Sequence, residues 1–215
     1  MDLWTQQWCD RKATGDIIIV RYADDAVLGF QSKSDANRYK VELNKRLAEF
    51  GLNLHPNKTR LIRFGRFALR DCWKWQGKKP GTFDFLGFTH YCTVTKSNKG
   101  FTVGRKSINK RMRSRLKEIK MELRKRLHKP VFATGAWLRK VLSGHLNYFA
   151  VPGNSESLRY FFHRVARYWF KSLRRRSQRH RMSWSRFDRL WARFAPKIRI
   201  SHPYPSTRFD AKYPR

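Results

Sequence analysis

Asp24 and Asp25 are the residues of this chain best suited to chemistry. They stand between two apolar, β-branched runs in the order Ile17-Ile-Ile-Val-Arg-Tyr-Ala-Asp-Asp-Ala-Val-Leu-Gly-Phe30. Such runs favour strands, so the tetrad between them predicts a β-hairpin with both carboxylates at its bend. Adjacent carboxylates repel each other unless a cation stands between them. The ion that suits them is Mg²⁺, a hard cation that takes carboxylate oxygens. Bound Mg²⁺ clamps the attacking and leaving oxygens of a phosphoryl transfer. The other reading of these two residues is a polar turn without chemistry.

Composition narrows the partners. The 215 residues carry 49 Lys and Arg against 15 Asp and Glu, a formal net charge of +34. Such a balance favours a polyanion, bound through its phosphates with a steep salt dependence. No apolar run reaches 18 residues, which excludes a spanning helix and sets a membrane aside as partner. No secretory pattern opens the chain, so a cytoplasmic location is expected. Cys9, Cys72 and Cys92 are odd in number and widely spaced, without zinc-ligand spacing, and read as reduced thiols. The seven histidines show no convergent pattern, and neither a nucleophile triad nor a Gly-rich phosphate loop is present.

The elements that must position the aspartates follow from periodicity. Residues 1–14 suit a short helix. After the hairpin, Ser34 is a candidate N-cap for an amphipathic helix through Ala36, Tyr39, Leu43, Leu47 and Phe50. Gly51 would end it in the left-handed conformation. Leu52–Leu54 and Thr59–Phe64 read as short strands around a His-Pro-Asn-Lys turn, and 65–82 as an irregular loop. Phe83–Thr95 and Phe101–Lys106 form a second hairpin turned at 97–100. Three apolar seams follow, from Ile108 to Leu127, Trp137 to Phe149 and Leu158 to Trp169, giving a three-helix bundle. Tyr160, Tyr168 and Trp169 read as bundle core. The fold class is α+β: a partial antiparallel sheet with one packing helix, then an all-α domain. Domains are expected at 1–103 and 104–182, with a basic C-terminal extension at 183–215.

Residues 15–31 resemble the catalytic palm hairpin of bacterial reverse transcriptases, particularly those encoded by group II introns. Gly51-Leu-Asn-Leu-His-Pro-Asn-Lys-Thr59 is similar to the segment after the family's palm helix. Phe83-Asp-Phe-Leu-Gly-Phe88 resembles its primer-grip strand, and Gly144-His-Leu-Asn-Tyr-Phe149 a recurrent segment of its thumb, or maturase-specific X domain. The resemblance runs in order along nearly the whole chain. It implies a bacterial mobile-element protein, a fragment of an RNA-directed DNA polymerase, with Mg²⁺-dependent nucleotidyl transfer in the intact parent. Its partners would be intron or template RNA, a DNA primer and a separately encoded fingers and palm segment. A maturase-like RNA-binding module without enzymatic activity, or the remnant of a decayed element, is the alternative.

Residue by residue, the resemblance makes Asp24 and Asp25 the metal-binding carboxylates and places Tyr22 beside the primer end. It gives Lys58 a part in protonating the departing pyrophosphate, and puts Phe85, Leu86 and Gly87 at the primer. The family uses a further aspartate from an earlier palm strand. Asp16 cannot replace it, because eight strand residues put it roughly 26 Å from Asp24. That strand and the fingers are missing from the resemblance, so the chain alone is expected to be inactive. An exposed edge on the palm half is expected at Ile17, Ile19, Val27 and Phe30. RNA would meet a basic face built from Arg105, Lys106, Lys110, Arg111 and Arg113 and from Arg167, Lys171, Arg174, Arg175 and Arg176.

Overall fold

A computed structural model describes residues 2–23, 25–77, 79–95, 100–176, 182–205 and 207. It is a mixed α and β structure with seven helices and two small antiparallel sheets among the described residues. The chain divides into two compact units, 1–81 and 82–215.

The first unit opens with α1 (Asp2–Lys12), then β1 (Ile17–Tyr22), β2 (Asp25–Phe30) and α2 (Lys33–Ala48). Trp8, Tyr39 and Leu43 are its buried centre, with Trp4, Ile17, Leu28, Phe30 and Leu47 packed around them. The Trp8 and Tyr39 rings meet edge-on at 5.1 Å. Their polar ends are satisfied: Trp8 Nε1 donates to Glu42 at 2.9 Å, and the Thr5 and Tyr39 hydroxyls share a 3.0 Å hydrogen bond. The chain entering β1 is tied down by buried Asp35, which accepts from the Thr14 amide at 2.9 Å and its hydroxyl at 2.8 Å. Those two bonds, aided by Arg38, hold the Asp35 carboxyl below its ordinary pKa.

Ser32, rather than Ser34, caps α2: its side chain accepts from the Ser34 amide. Gly51, at φ +68°, ends the helix as expected. Its amide bonds to Ala48 O at 3.0 Å while the Leu52 amide bonds to Leu47 O at 2.9 Å, the paired bonds of a Schellman stop. The strands expected at Leu52–Leu54 and Thr59–Phe64 do not form. Neither stretch pairs in a ladder, and Leu52 and Leu61 are exposed. The loop expected at 65–82 contains a helix, α3 (Ala68–Gln76), closed by Gly77 at φ +59°. Its inward residues Ala68, Asp71 and Cys72 have helical spacing, but two are small and one is charged, so the apolar pattern is faint.

The second unit begins with a meander, β3 (Phe83–Phe85), β4 (Phe88–Val94) and β5 (Phe101–Ser107), paired in the order β3-β4-β5. Two strands were expected where three form, because Leu86 and Gly87 make a tight turn inside the first run. The expected turn at 97–100 lies outside the described residues except for Gly100. Four helices follow: α4 (Asn109–Lys125), α5 (Val131–Phe149), α6 (Ser155–Arg174) and α7 (Trp184–Phe194). The three expected seams supply the core, including Leu116, Ile119, Leu138, Leu142, Leu158, Phe161 and Trp169. Tyr160 departs from the core reading and is exposed, whereas Trp169 is 1% exposed.

Within the stretch expected as a basic extension, Trp184–Phe194 forms a fourth helix of the bundle. Ser183 caps α7 through a bond from the Arg186 amide, and Phe187 is 1% exposed within the shared core. α5 approaches α7 closely at Gly135, where a Cβ would stand 2.6 Å from the Phe194 ring. The sheet belongs to this compact unit, which begins at residue 82. Asn154 explains why: fully buried, it accepts from the Ser107 amide at 2.9 Å and donates to Ser107 Oγ and Phe149 O, each at 2.9 Å. One side chain thereby locks the end of β5 to the α5–α6 connection.

Candidate catalytic turn and nucleic-acid interface

The β1–β2 hairpin pairs Ile17 with Phe30 and continues in register to Tyr22 opposite Asp25. The bend therefore lies between Tyr22 and Asp25 and includes Ala23. Ala23 sits at φ +50°, in the left-handed region, as a two-residue hairpin turn requires of its first position. Asp24, the first candidate metal ligand, lies outside the described residues. Asp25 is exposed at the start of β2, and Tyr22 across from it is 65% exposed. Asp16 is at the other end of the hairpin, where its amide bonds to Gln31 Oε1. Six strand residues separate it from the bend, about 20 Å.

The alternation of strand residues sorts the hairpin into two faces. Ile17, Ile19, Leu28 and Phe30 share the face toward α1 and α2, and Ile18, Val20, Val27 and Gly29 share the other. The edge expectation holds in kind: Ile17, Val27 and Phe30 are half-buried and Ile19 is 39% exposed. The barest residues are on the outer face, however, with Ile18 at 68% and Val20 at 47%. The sheet has only these two strands among the described residues.

Mg²⁺ is usually held by one or two carboxylates together with substrate phosphates. An exposed Asp25 beside a second aspartate suits that mode. Among the described residues no group of three or more His, Cys, Asp or Glu is placed to hold a metal, so the bend would need substrate oxygens or further ligands. Lys58 is exposed on the turn closed by bonds from the Lys58 and Thr59 amides to His55 O.

Phe85, Leu86 and Gly87 are brought together in the second unit. Leu86 at φ +47° and Gly87 at φ +81° turn the chain between the paired residues Phe85 and Phe88. The turn is anchored from three sides: Tyr148 Oη donates to Leu86 O at 2.9 Å, the Ile108 amide donates to Gly87 O at 3.1 Å, and Phe88 stacks on Tyr148. Gly87 is buried, and a Cβ there would meet Tyr148 at 3.4 Å and Phe149 at 3.6 Å. Close packing onto α5 therefore accounts for this glycine within the chain itself.

The basic residues fall into two groups. Bonds from Ser172 to Leu123 O and from Arg176 to Arg126 O place the end of α6 beside the end of α4. The two helices thus run side by side in the same sense. Lys110, Arg111 and Arg113 stand at their beginning, with Lys106 above the Tyr91 ring, and Lys171, Arg174 and Arg175 at their end, all exposed. The 17 residues of α4 span about 26 Å. Between the groups, Lys120 lies over the Tyr168 ring and Arg164 lies between the Tyr160 and Tyr168 rings. Two expected members differ. Arg105 is half-buried, and that burial lowers the pKa of its guanidinium. Arg176 is turned inward, donating to Lys129 O at 2.6 Å and Arg126 O at 3.5 Å, so it closes the end of α4.

Residues 1–90 match the family model of reverse transcriptases (RNA-dependent DNA polymerases). The match takes in the aspartate hairpin, α2, Lys58 and the Leu86–Gly87 turn, and it supports a reverse-transcriptase segment over those residues. No curated protein matches the chain. Sequence reasoning did not find Asn154 or the inward role of Arg176.

Proposed function

We propose that the chain is part of an RNA-directed DNA polymerase of the group II intron kind. Residues 1–103 would be the second half of its palm and 104–182 the body of its RNA-binding thumb. The observation that carries this reading is the β1–β2 hairpin with exposed Asp25 next to its bend, inside a segment that matches reverse transcriptases.

Asp24 and Asp25 would hold Mg²⁺ with the phosphates of primer and deoxynucleotide. When bound there, the ion supplies charge stabilisation to an in-line phosphoryl transfer. Asp24 and Asp25 are consecutive in the chain, and Tyr22 offers an exposed ring across from Asp25. Lys58 would donate a proton to the departing pyrophosphate. The one-signed cations of α4 and α6 would hold RNA phosphates, a role that serves a maturase-like module equally well.

Primer extension on poly-adenylate with Mg²⁺ tests the enzymatic reading. The chain is assayed alone and together with a fingers and first-palm segment from a group II intron reverse transcriptase. Alone it should be inactive; together they should incorporate nucleotide, and Asp24→Ala should abolish it. Incorporation that survives Asp24→Ala overturns the catalytic assignment. No incorporation by the mixture, with RNA binding intact, favours the non-enzymatic module.

A further inference from the structure

The second unit holds a cavity of about 410 Å³, lined from α4, α5 and the turn at Gly87. Sites for small organic ligands run from about 300 to 1,000 Å³, so the space suits one. Ile108, Met112 and Val141 give it apolar walls, Arg111, Arg115 and Lys140 give it cations, and no acid lines it. Arg115 is answered by Glu118 at 2.8 Å. Arg111 and Lys140 are exposed and have no acid partner among the described residues.

The beginning of α4 adds to that charge. Its N-cap, Ile108, makes no side-chain cap hydrogen bond, and its first turn carries no acid. The first amides of the helix are therefore uncapped beside the cavity, and together with the helix dipole they favour an anion. Arg111 belongs to the same turn.

On the facing wall, Gly144 keeps the cavity open. It is an exposed residue inside the 19-residue α5, where glycine is less favourable than alanine. Packing requires Gly135 of the same helix, beside the Phe194 ring, but a Cβ at Gly144 would meet nothing within 4 Å. Lys140 precedes Gly144 by four residues and so shares its side of the helix. His145 also lines the cavity, and its Nε2 is buried with no hydrogen-bond partner. An orphaned nitrogen at a cavity wall points to a group that an occupant supplies.

We propose that this cavity binds a nucleotide, with its phosphate on Arg111, Lys140 and the first amides of α4 and its base against Ile108, Met112 and Val141. A helix N-terminus joined by cations is a phosphate site, and the apolar walls suit a flat, weakly polar group beside it. The nucleotide is either free or an unpaired one of a bound RNA. In the second case the site rests on the RNA-binding reading, from which it takes Arg111. In neither case does it use Asp24 or Asp25.

Isothermal titration calorimetry of the full chain compares adenosine and uridine monophosphates with inorganic phosphate, and a short single-stranded RNA is titrated in parallel. Gly144→Leu puts a side chain into the opening and should weaken nucleotide binding about ten-fold or more. Its urea midpoint should hold or rise, because leucine favours the helix. Arg111→Gln with Lys140→Gln, at exposed positions, should weaken nucleotide binding to a similar extent and repeats the measurement if Gly144→Leu unfolds. Loss of monophosphate affinity in Gly144→Leu with RNA affinity kept assigns the site to a free nucleotide; loss of RNA affinity assigns it to a nucleotide of the RNA. The proposal is overturned if Gly144→Leu changes neither affinity, or if it weakens inorganic phosphate as much as the nucleotide. Asp25→Ala should leave nucleotide binding unchanged, and so should Arg174→Gln with Arg175→Gln. Those two controls separate failure of this site from failure of the catalytic and RNA-binding readings.

Discussion

Arg174, Arg175 and Arg176 are consecutive in sequence, yet the structure gives them different duties, and that difference can be measured. Arg174 and Arg175 are exposed at the end of α6. If each contacts one RNA phosphate, losing both lowers the dependence of log affinity on log salt by about 1.4–1.8 units, single-stranded to duplex. Between about 50 and 200 mM salt, the affinity advantage of the parent over Arg174→Gln with Arg175→Gln should then shrink about ten-fold. Arg176 instead donates to the Lys129 and Arg126 carbonyls at the end of α4. Hydrogen bonds from a charged donor contribute about 1.5–3 kcal/mol, so Arg176→Gln should cost about 2 kcal/mol of stability and leave the salt slope nearly unchanged. Fluorescence anisotropy over a salt series reads the first quantity and urea denaturation the second. The reasoning is refuted if Arg176→Gln flattens the slope as the other two do and leaves the urea midpoint where it was. Should the Arg174/Arg175 pair leave affinity and slope untouched, the end of α6 is a solvated surface and not an RNA contact.

Acid should weaken the second unit through His145, whose pKa burial pushes down to about 4, with a smaller contribution from the Arg115 charge. A folded-state pKa below the unfolded one means the unfolded chain takes up the proton first. Stability should therefore be intact above about pH 6.5 and fall by about 2–3 kcal/mol as pH drops toward 4. Urea melts across that range should show a shallower decline in His145→Asn, and an unchanged decline would exclude this residue as the cause. Ala23→Gly should stabilise the first unit by up to about 1 kcal/mol, because the bend holds an alanine in the left-handed region, whereas Ala23→Val should destabilise it. Thermal melting that ranks the two the other way would exclude the bend geometry. Phe187→Ala should cost about 3–5 kcal/mol by emptying a filled site in the bundle core. A loss under about 1 kcal/mol in chemical denaturation would mean that α7 is not part of the cooperative fold.

The sequence determined by itself whatever depends on local patterning. The two β-branched, apolar runs of Ile17–Phe30 set the hairpin and placed Asp25 next to its bend, because strand propensity belongs to each run of neighbours along the chain. The apolar seams of α4, α5 and α6 and the stop at Gly51 were legible for the same reason: each signal lies within a few residues of what it controls. The tertiary structure decided everything that depends on a distant partner. Leu52–Leu54 and Thr59–Phe64 have the composition of strands but find no ladder. The inward side of α3 is marked only by Ala68, Asp71 and Cys72, and Asp71 becomes buried because Arg63, eight residues earlier, pairs with it. Arg176 has the same local sequence context as Arg174, and only the arrival of the α4 carbonyls beside it makes it structural. Gly87 reads from sequence as a place for a primer to approach, whereas Tyr148 and Phe149, some sixty residues later, occupy the space beside it. Charge and periodicity are properties of neighbours along the chain; burial, ion pairing and cross-helix contact exist only once the chain has packed.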